Sequence, residues 1–408
     1  MKNTFSHYRK DEIMIYLDKL CLRIVLIIVC VLAVSGNVFS SDDVKIKFAG
    51  SVANILNKPS KFYKSREALR IAETVLLYQR NNGGWPKNYD SVRALSDRDK
   101  KELIRKKEQD DTTFDNGATY SEVRYLAKVC KASKDERFRK AFLRGVEFIL
   151  KAQYGNGGWP QFYPNTRDRD YAKHITFNDD AMIGVITVLR DIAQDRTSYP
   201  FVNADLRARC AQSVEKGIQC ILKCQIKTGG RKTAWCAQHD EKNFLPRKGR
   251  SYELASISGW ESVGIVRFLM EIEKPTPEVI RAVQSAVAWF DGAKLRDVRV
   301  IKMKNPLVPG GWDKIVVKDA NARSMWARFY RIEDNQPLFC SRDGVPKATF
   351  GEISPERRMG YEWFGYYATD LLAREYPYWL KKHAVRENVL RKKNMMLFTV
   401  FLKVFFLV

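Results

Sequence analysis

The sequence is poor in several features that would point quickly to a chemistry. No set of cysteines has the spacing of a zinc site, which argues against a zinc-built module. Strand-like alternation is scarce, which disfavours an all-β fold. No apolar run reaches a secure membrane span: Ile24–Gly36 and Met395–Val408 are both short, and Lys403 interrupts the second. No nucleic-acid-binding motif is present. Acidic residues are also under-represented, with 47 Asp and Glu against 71 Lys and Arg, a formal net charge of +24. A balance this basic fits a polyanionic partner: nucleic acid, an anionic membrane surface or an acidic polysaccharide.

The N-terminus narrows that choice. Arg23 precedes the apolar run, and NVFS-SDD follows it, the pattern of a signal peptide with a long leader over residues 1–40. A single membrane anchor is the alternative. These 40 residues carry five basic and three acidic groups, so the remainder keeps +22. The expectation is a secreted or periplasmic protein, which disfavours nucleic acid. Beyond the leader, Cys130, Cys210, Cys220, Cys224, Cys236 and Cys340 read either as core residues or as one or two disulfides. Residues 391–408, basic and then hydrophobic, form a tail to which no chemistry is assigned.

Four Gly-Gly turns recur: Asn82–Pro86 (NGGWP), Asn156–Pro160 (NGGWP), Thr228–Gly230 (TGG) and Pro309–Trp312 (PGGW). Their second glycines are 74, 72 and 81 residues apart. Gln79, Gln153 and Gln225 stand upstream of the first three, each after a helical apolar pattern. In Ala141–Gln153 that pattern is carried by Phe142, Val146, Phe148, Ile149 and Ala152. A period of about 75 residues holds two helices and their loops, so the repeat predicts helix pairs around one core. The expected architecture is all-α dominated, an α/α toroid or incomplete α/α barrel over residues 41–390. Short strands are expected near Val298–Val300 and Ile315–Val317. A ring of pairs would put equivalent loops on one face and form a cleft there.

Two acidic segments precede predicted helices: Thr112–Thr119 (TTFDNGAT) and Thr176–Met182 (TFNDDAM). One reading makes their Asp and Asn residues helix N-caps. The other gathers hard oxygen ligands for Ca²⁺ on one face, against the positive end of the helix dipole. A basic loop, Arg247–Leu254 (RKGRSYEL), and the segments Trp326–Tyr330 and Ser341–Gly344 supply arginines. Their forked guanidinium groups suit the carboxylates of a uronic acid chain, or structural salt bridges. Trp85, Trp159, Trp235 and Trp260 are either sugar-stacking platforms or core.

Taken in order, NGGWPKNYD, TTFDNGATYSEVRYLA, NGGWPQFYP, ITFNDDAM, GRSYELASISGWESVGIVRFLM, WARFYRIEDNQPLFCSRDG and RRMGYEWFGYY resemble the family 10 polysaccharide lyases, the α/α-toroid pectate lyases, over roughly residues 60–380. The resemblance implies an (α/α)3 toroid and Ca²⁺-dependent endo-cleavage of polygalacturonate by β-elimination; a monomer is expected. It places Asp115 and Asp179, with Asn116 beside them, at the calcium and substrate subsite. It makes Arg250 the proton-abstracting base, and Arg328 and Arg342 the binders of galacturonate carboxylates. Nothing is carried onto Asp180. Ala255 and Trp260 depart from the pattern, standing where a proline and a smaller residue are expected. Two other readings stay open on the residues: a uronan hydrolase on the same scaffold with Asp115 and Asp179 as its acid–base pair, and a non-catalytic acidic-polysaccharide-binding protein.

Overall fold

The computed structural model describes residues 50–165 and 170–390. The leader and the C-terminal tail both lie outside the described residues. No helix among the described residues is long and apolar enough to cross a membrane.

Helices dominate, in two layers. The outer layer is α1 (Arg66–Tyr78), α4 (Glu136–Ala152), α6 (Ala204–Cys224) and α8 (Pro277–Gly292). The inner layer is α3 (Tyr120–Ser133), α5 (Ala181–Gln194) and α7 (Glu261–Met270), each against the next. A short helix, α2 (Asp97–Arg105), lies against α1. The sequence-predicted helix over Ala141–Gln153 falls in α4, and all five of its periodic apolar residues are buried. The architecture is the all-α toroid of paired helices expected from the repeat, with few short strands.

The upstream glutamines explain why the repeat survives in sequence. Gln79 Nε2 donates to the carbonyls of Gly83 (2.9 Å) and Ala141 (2.9 Å). Gln153 Nε2 donates to Gly157 (3.0 Å) and Ser213 (2.9 Å). Gln225 Nε2 donates to Thr233 (3.0 Å) and Ala282 (2.9 Å). Each amide thus ties its own turn to the next outer helix and satisfies buried carbonyls. The tryptophans repeat the logic: the indole N–H groups of Trp85, Trp159 and Trp235 donate to the carbonyls of Val75, Ile149 and Ile221 at 2.8, 2.9 and 2.8 Å. All three rings are fully buried, so these tryptophans are core and not sugar platforms.

The fourth Gly-Gly turn is not a repeat. Pro309–Gly311 caps the one long hairpin of the described residues, β1 (Val298–Lys304) against β2 (Trp312–Lys318). Both strand expectations are met there. Trp326, on the strand that follows, is buried in the same manner as the repeat tryptophans, its indole N–H donating to Phe290 at 2.9 Å. The six cysteines from Cys130 to Cys340 are all buried free thiols, which settles them as core residues rather than disulfides.

Short antiparallel pairs join successive cleft loops. Thr113 bridges Phe162, Ile175–Thr176 pairs with Gln238–His239, and Ile257–Ser258 pairs with Phe329–Tyr330. The loops preceding the inner helices are thereby held side by side on one face. A second aromatic cluster, with Tyr252, Phe329, Phe339, Phe350 and Trp363, supports the last of these loops.

Candidate active site

The outer helices begin with side-chain caps: Ser65, Asp135, Asn203 and Thr276 each accept from a backbone N–H of the first turn. The inner helices have none; Thr119, Asp180 and Trp260 stand at their N-cap positions without a capping bond. The cleft carboxylates are therefore not spent as caps. Asp115 opens a 3-10 turn, Asp115–Gly117, ahead of α3, and Asp179 lies in the turn Asn178–Asp180 ahead of α5. Asn116 and Asp179 share one left-handed backbone geometry, φ 53° with ψ 29° and 32°. Asn and Asp tolerate that region better than most residues. The two turns are thus structural counterparts, and Asp179 matches Asn116 rather than Asp115.

The turns meet around Tyr120. A Cβ on Gly184 would fall 2.3 Å from Cζ of Tyr120, so only glycine lets this ring lie against α5. The Tyr120 hydroxyl is held well above its ordinary pKa by burial, and then by Asp180, Asp179 and Asp115, which all surround it. The phenol therefore stays neutral. Lys87, from the first NGGWPK turn, pairs with Oδ2 of Asp115. Oδ1 of Asp115 is buried with no hydrogen-bond partner among the described residues. A buried, unsatisfied carboxylate oxygen beside further carboxylates is a donor set that a hard cation fits. Asp115, Asp179 and the nearby Asn116 amide, which reaches Asn88 Oδ1 at 3.1 Å, are suited to hold calcium.

Arg328 reaches the second of these turns from a loop late in the chain. Gly259 N–H donates to the Arg328 carbonyl at 2.8 Å, an approach that a side chain on Gly259 would block. Arg328 is buried. Its Nη2 donates to Glu261 Oε1 at 2.7 Å and to Asn178 Oδ1 at 3.2 Å. Burial works against its charge, but the Glu261 carboxylate more than compensates and holds the guanidinium well above its usual pKa. The Nδ2 of Asn178 in turn donates to Asp179 Oδ2 at 2.7 Å. Arg328 also lies 4.8 Å from the ring centroids of both Trp260 and Tyr361.

Tyr361 joins the two arginine sites. Arg250 lies 5.6 Å from the Tyr361 ring centroid and 5.0 Å from that of Tyr252. Glu253 holds Arg250 by two bonds, from Nε at 2.9 Å and Nη2 at 2.5 Å, and also accepts from the Tyr361 hydroxyl at 2.7 Å. Burial opposes the charge on Arg250, but Glu253 overcomes it and raises the guanidinium pKa. Arg342 is 63% exposed, pairs with Glu356 at 2.9 Å, and lies 5.6 Å from the Tyr252 ring. The six sequence-predicted site residues therefore form a connected array, with Arg342 at its periphery. Sequence reasoning missed Lys87, Asn178, Glu253, Glu261 and Tyr361. Each lies inside or beside a motif already singled out, but its role depends on a partner 28 to 150 positions away, or on a turn of the chain that spacing does not reveal.

A different cluster, His174, Asp240 and Glu241, brings ligand atoms within 4.8 Å of one another. Asp240 is already engaged by the N–H groups of Lys242 and Asn243 and by Arg247, so it braces a turn.

A family model described as pectic acid lyase matches residues 79–372. Two solved structures are similar over most of the chain. One is an aspartate-to-alanine mutant of a family 10 polysaccharide lyase from Cellvibrio cellulosa in complex with trigalacturonic acid, 36% identical, with a TM-score of 0.66, covering 79% of this chain and 95% of that one. The other is a family 10 polysaccharide lyase from Cellvibrio cellulosa, 35% identical, with a TM-score of 0.65, covering 79% and 94%. No curated protein matches the chain at a comparable level.

Proposed function

The chain belongs to the pectic acid lyase family, and from that premise we propose that it is a secreted, monomeric, calcium-dependent lyase that cleaves polygalacturonate by β-elimination. That it is a polysaccharide lyase acting on pectate follows from the family. The calcium, the export and the individual residue roles are the proposal.

The observation that carries it is the unbroken line of contacts from Asp179 through Asn178 to Arg328, and across Tyr361 to Arg250. The turn that carries Asp179 is thus tied to Arg328, and through Tyr361 to Arg250. In elimination the C5–H bond breaks, a C4–C5 double bond forms, and the C4–O bond to the leaving sugar cleaves. The C5 proton is hard to remove while the adjacent carboxylate carries full negative charge. Arg328 supplies a permanent positive charge to that carboxylate, and Arg342 a second one farther out. Asp115, Asp179 and Asn116 would hold calcium, which when bound adds further neutralisation of the substrate carboxylate.

Arg250 takes the proton. Its plane is fixed by Glu253 and flanked by Tyr252 and Tyr361. The same Glu253 pair keeps it protonated in the free protein, so the base role requires that bound substrate and calcium loosen the pair. The expected activity therefore increases toward alkaline pH.

The test is the metal-stripped chain with polygalacturonate, followed by the near-ultraviolet absorbance of the unsaturated product. Activity should vanish in chelator and return with Ca²⁺, and only poorly with Mg²⁺, whose rigid octahedral preference suits such a site less. Full turnover after exhaustive metal removal refutes the calcium requirement.

A further inference from the structure

The hairpin β1–β2 takes no part in the cleft chemistry, yet its charge is sorted by face. Its register pairs Val298 with Lys318, Val300 with Val316, Lys302 with Lys314 and Lys304 with Trp312. Alternate residues share a face, so Lys302, Lys304, Lys314, Lys318 and Trp312 all project from one side. The other side carries Asp313, buried and bound to Arg358 at 2.6 and 2.8 Å, and Arg299, paired with Asp319 at 2.9 Å. Acidic partners are thus concentrated off the lysine face. Among the described residues, Lys302, Lys304 and Lys318 have no carboxylate within 4.0 Å, and Lys314 reaches only Glu362, at 4.0 Å.

Lysines on an exposed two-stranded ribbon can serve simply to keep its edges from pairing with other strands. That does not account for Trp312, which is 40% exposed, with the ammonium groups of Lys302 and Lys304 at 4.8 and 6.0 Å from its ring centroid. An exposed indole is a liability on a soluble surface unless it contacts something. The body end of this face adds a geometric link. Val300 and Lys314 line a cavity with Tyr361 and Tyr366, and Arg323 lies 4.3 Å from the Tyr366 centroid. Tyr361 is the ring between Arg250 and Arg328.

We propose that the lysine face of this hairpin is an additional binding surface for an acidic polysaccharide chain, with Trp312 as the sugar platform and Lys302 and Lys304 as carboxylate partners. The identity of the polymer as a uronan rests on the proposed function. The surface engages long chains emerging from the cleft and is out of reach of short oligomers.

The experiment is affinity electrophoresis of the full chain through gels containing polygalacturonate, run in chelator so that the polymer is not turned over, with dextran sulfate gels and anionic phosphatidylglycerol vesicles as parallel arms. Mobility in a polymer-free gel corrects for altered charge. The Lys302→Gln/Lys304→Gln/Trp312→Ala variant should bind polygalacturonate about tenfold more weakly, and Trp312→Ala alone about threefold, with dextran sulfate retention unchanged in the latter. Cleavage of trigalacturonate should be the same in all. Lys302→Arg/Lys304→Arg should retain binding. Unchanged retention of the triple variant overturns the proposal, as does an equal loss by Trp312→Ala on dextran sulfate, or an effect confined to the vesicles. A parent that yields no unsaturated product from polygalacturonate with Ca²⁺ but loses retention in the triple variant removes the lyase reading and leaves the binding surface standing.

Discussion

The helical repeats and the stretch from Ala293 to Tyr367 build the cleft in opposite ways. In the repeats, one device recurs: a glutamine clamp, a buried indole and an uncapped inner helix, with the acidic turns placed where that helix begins. In the later stretch almost nothing recurs. Arg328 is positioned by a buried glutamate from α7, an asparagine from another repeat, and rings on both sides. The carboxylates thus come from a periodic scaffold, and the guanidinium groups from an aromatic cluster unique to one place. The two regions meet at Asn178, which bonds both Asp179 and Arg328, so the two sets of charge are positioned together.

Four substitutions, and one second-site change added to the first, test that division. Arg328→Ala should have the largest effect, destabilising the protein by about 3–5 kcal/mol because Glu261 is left buried without its partner. A thermal or denaturant melt reads this. Adding Glu261→Gln should recover much of the stability and none of the turnover; recovery of both would make Arg328 purely structural. Arg250→Lys should lower kcat by at least about 10²-fold, the lower range for an acid–base group, with little change in the melt. A rise in KM at normal kcat would instead make Arg250 a binding residue.

The third substitution lies within the repeats. Glu122 on α3 is buried, with Oε1 accepting from Tyr89 at 3.0 Å and Oε2 unpartnered among the described residues. Burial raises its pKa from 4.5 to about 7. With the folded-state value above the unfolded one, its contribution is fully favourable below about pH 4.5 and is lost as pH rises through about 7. Glu122→Gln should therefore stabilise the protein by roughly 2–3 kcal/mol at pH 8.5 and have little effect at pH 4. Equal melting at pH 8.5 would show that Glu122 ionises in the fold without cost. The smallest effect is expected of Arg342→Ala. Its pair with Glu356 is exposed on both sides, so KM for polygalacturonate should rise less than about threefold. A larger loss would move Arg342 from the rim into the centre of the site.

Much of the scaffold was legible because its causes are local or periodic. Phe142, Val146, Phe148, Ile149 and Ala152 reveal α4 through helical spacing, and the Gln and Gly-Gly signatures reveal the period. The one failure of that period is instructive. Trp312 follows two glycines as Trp85 and Trp159 do, yet it sits on a hairpin, and Trp326 does the buried work. A turn motif specifies how the chain bends, and says nothing of what the bend packs against. The candidate site residues were named through motif resemblance, and the array that joins them was not readable in the same way. Asn178 looked like one more polar residue beside Asp179 until Arg328, 150 positions later, was seen to share it.

The sequence by itself determined the paired-helix repeat, the basic character, the family and the identity of the candidate charges, since each is written in composition, spacing or contiguous motif. Only the tertiary structure decided that the six cysteines stay as thiols, that three conspicuous tryptophans are core, and that Asp115 keeps one buried oxygen without a hydrogen-bond partner among the described residues. It alone showed Arg328 in a buried ion pair with Glu261, and Arg250 locked to Glu253. Burial and pairing are properties of neighbours in space. The chain brings those neighbours together from distant repeats, where no local signal links them.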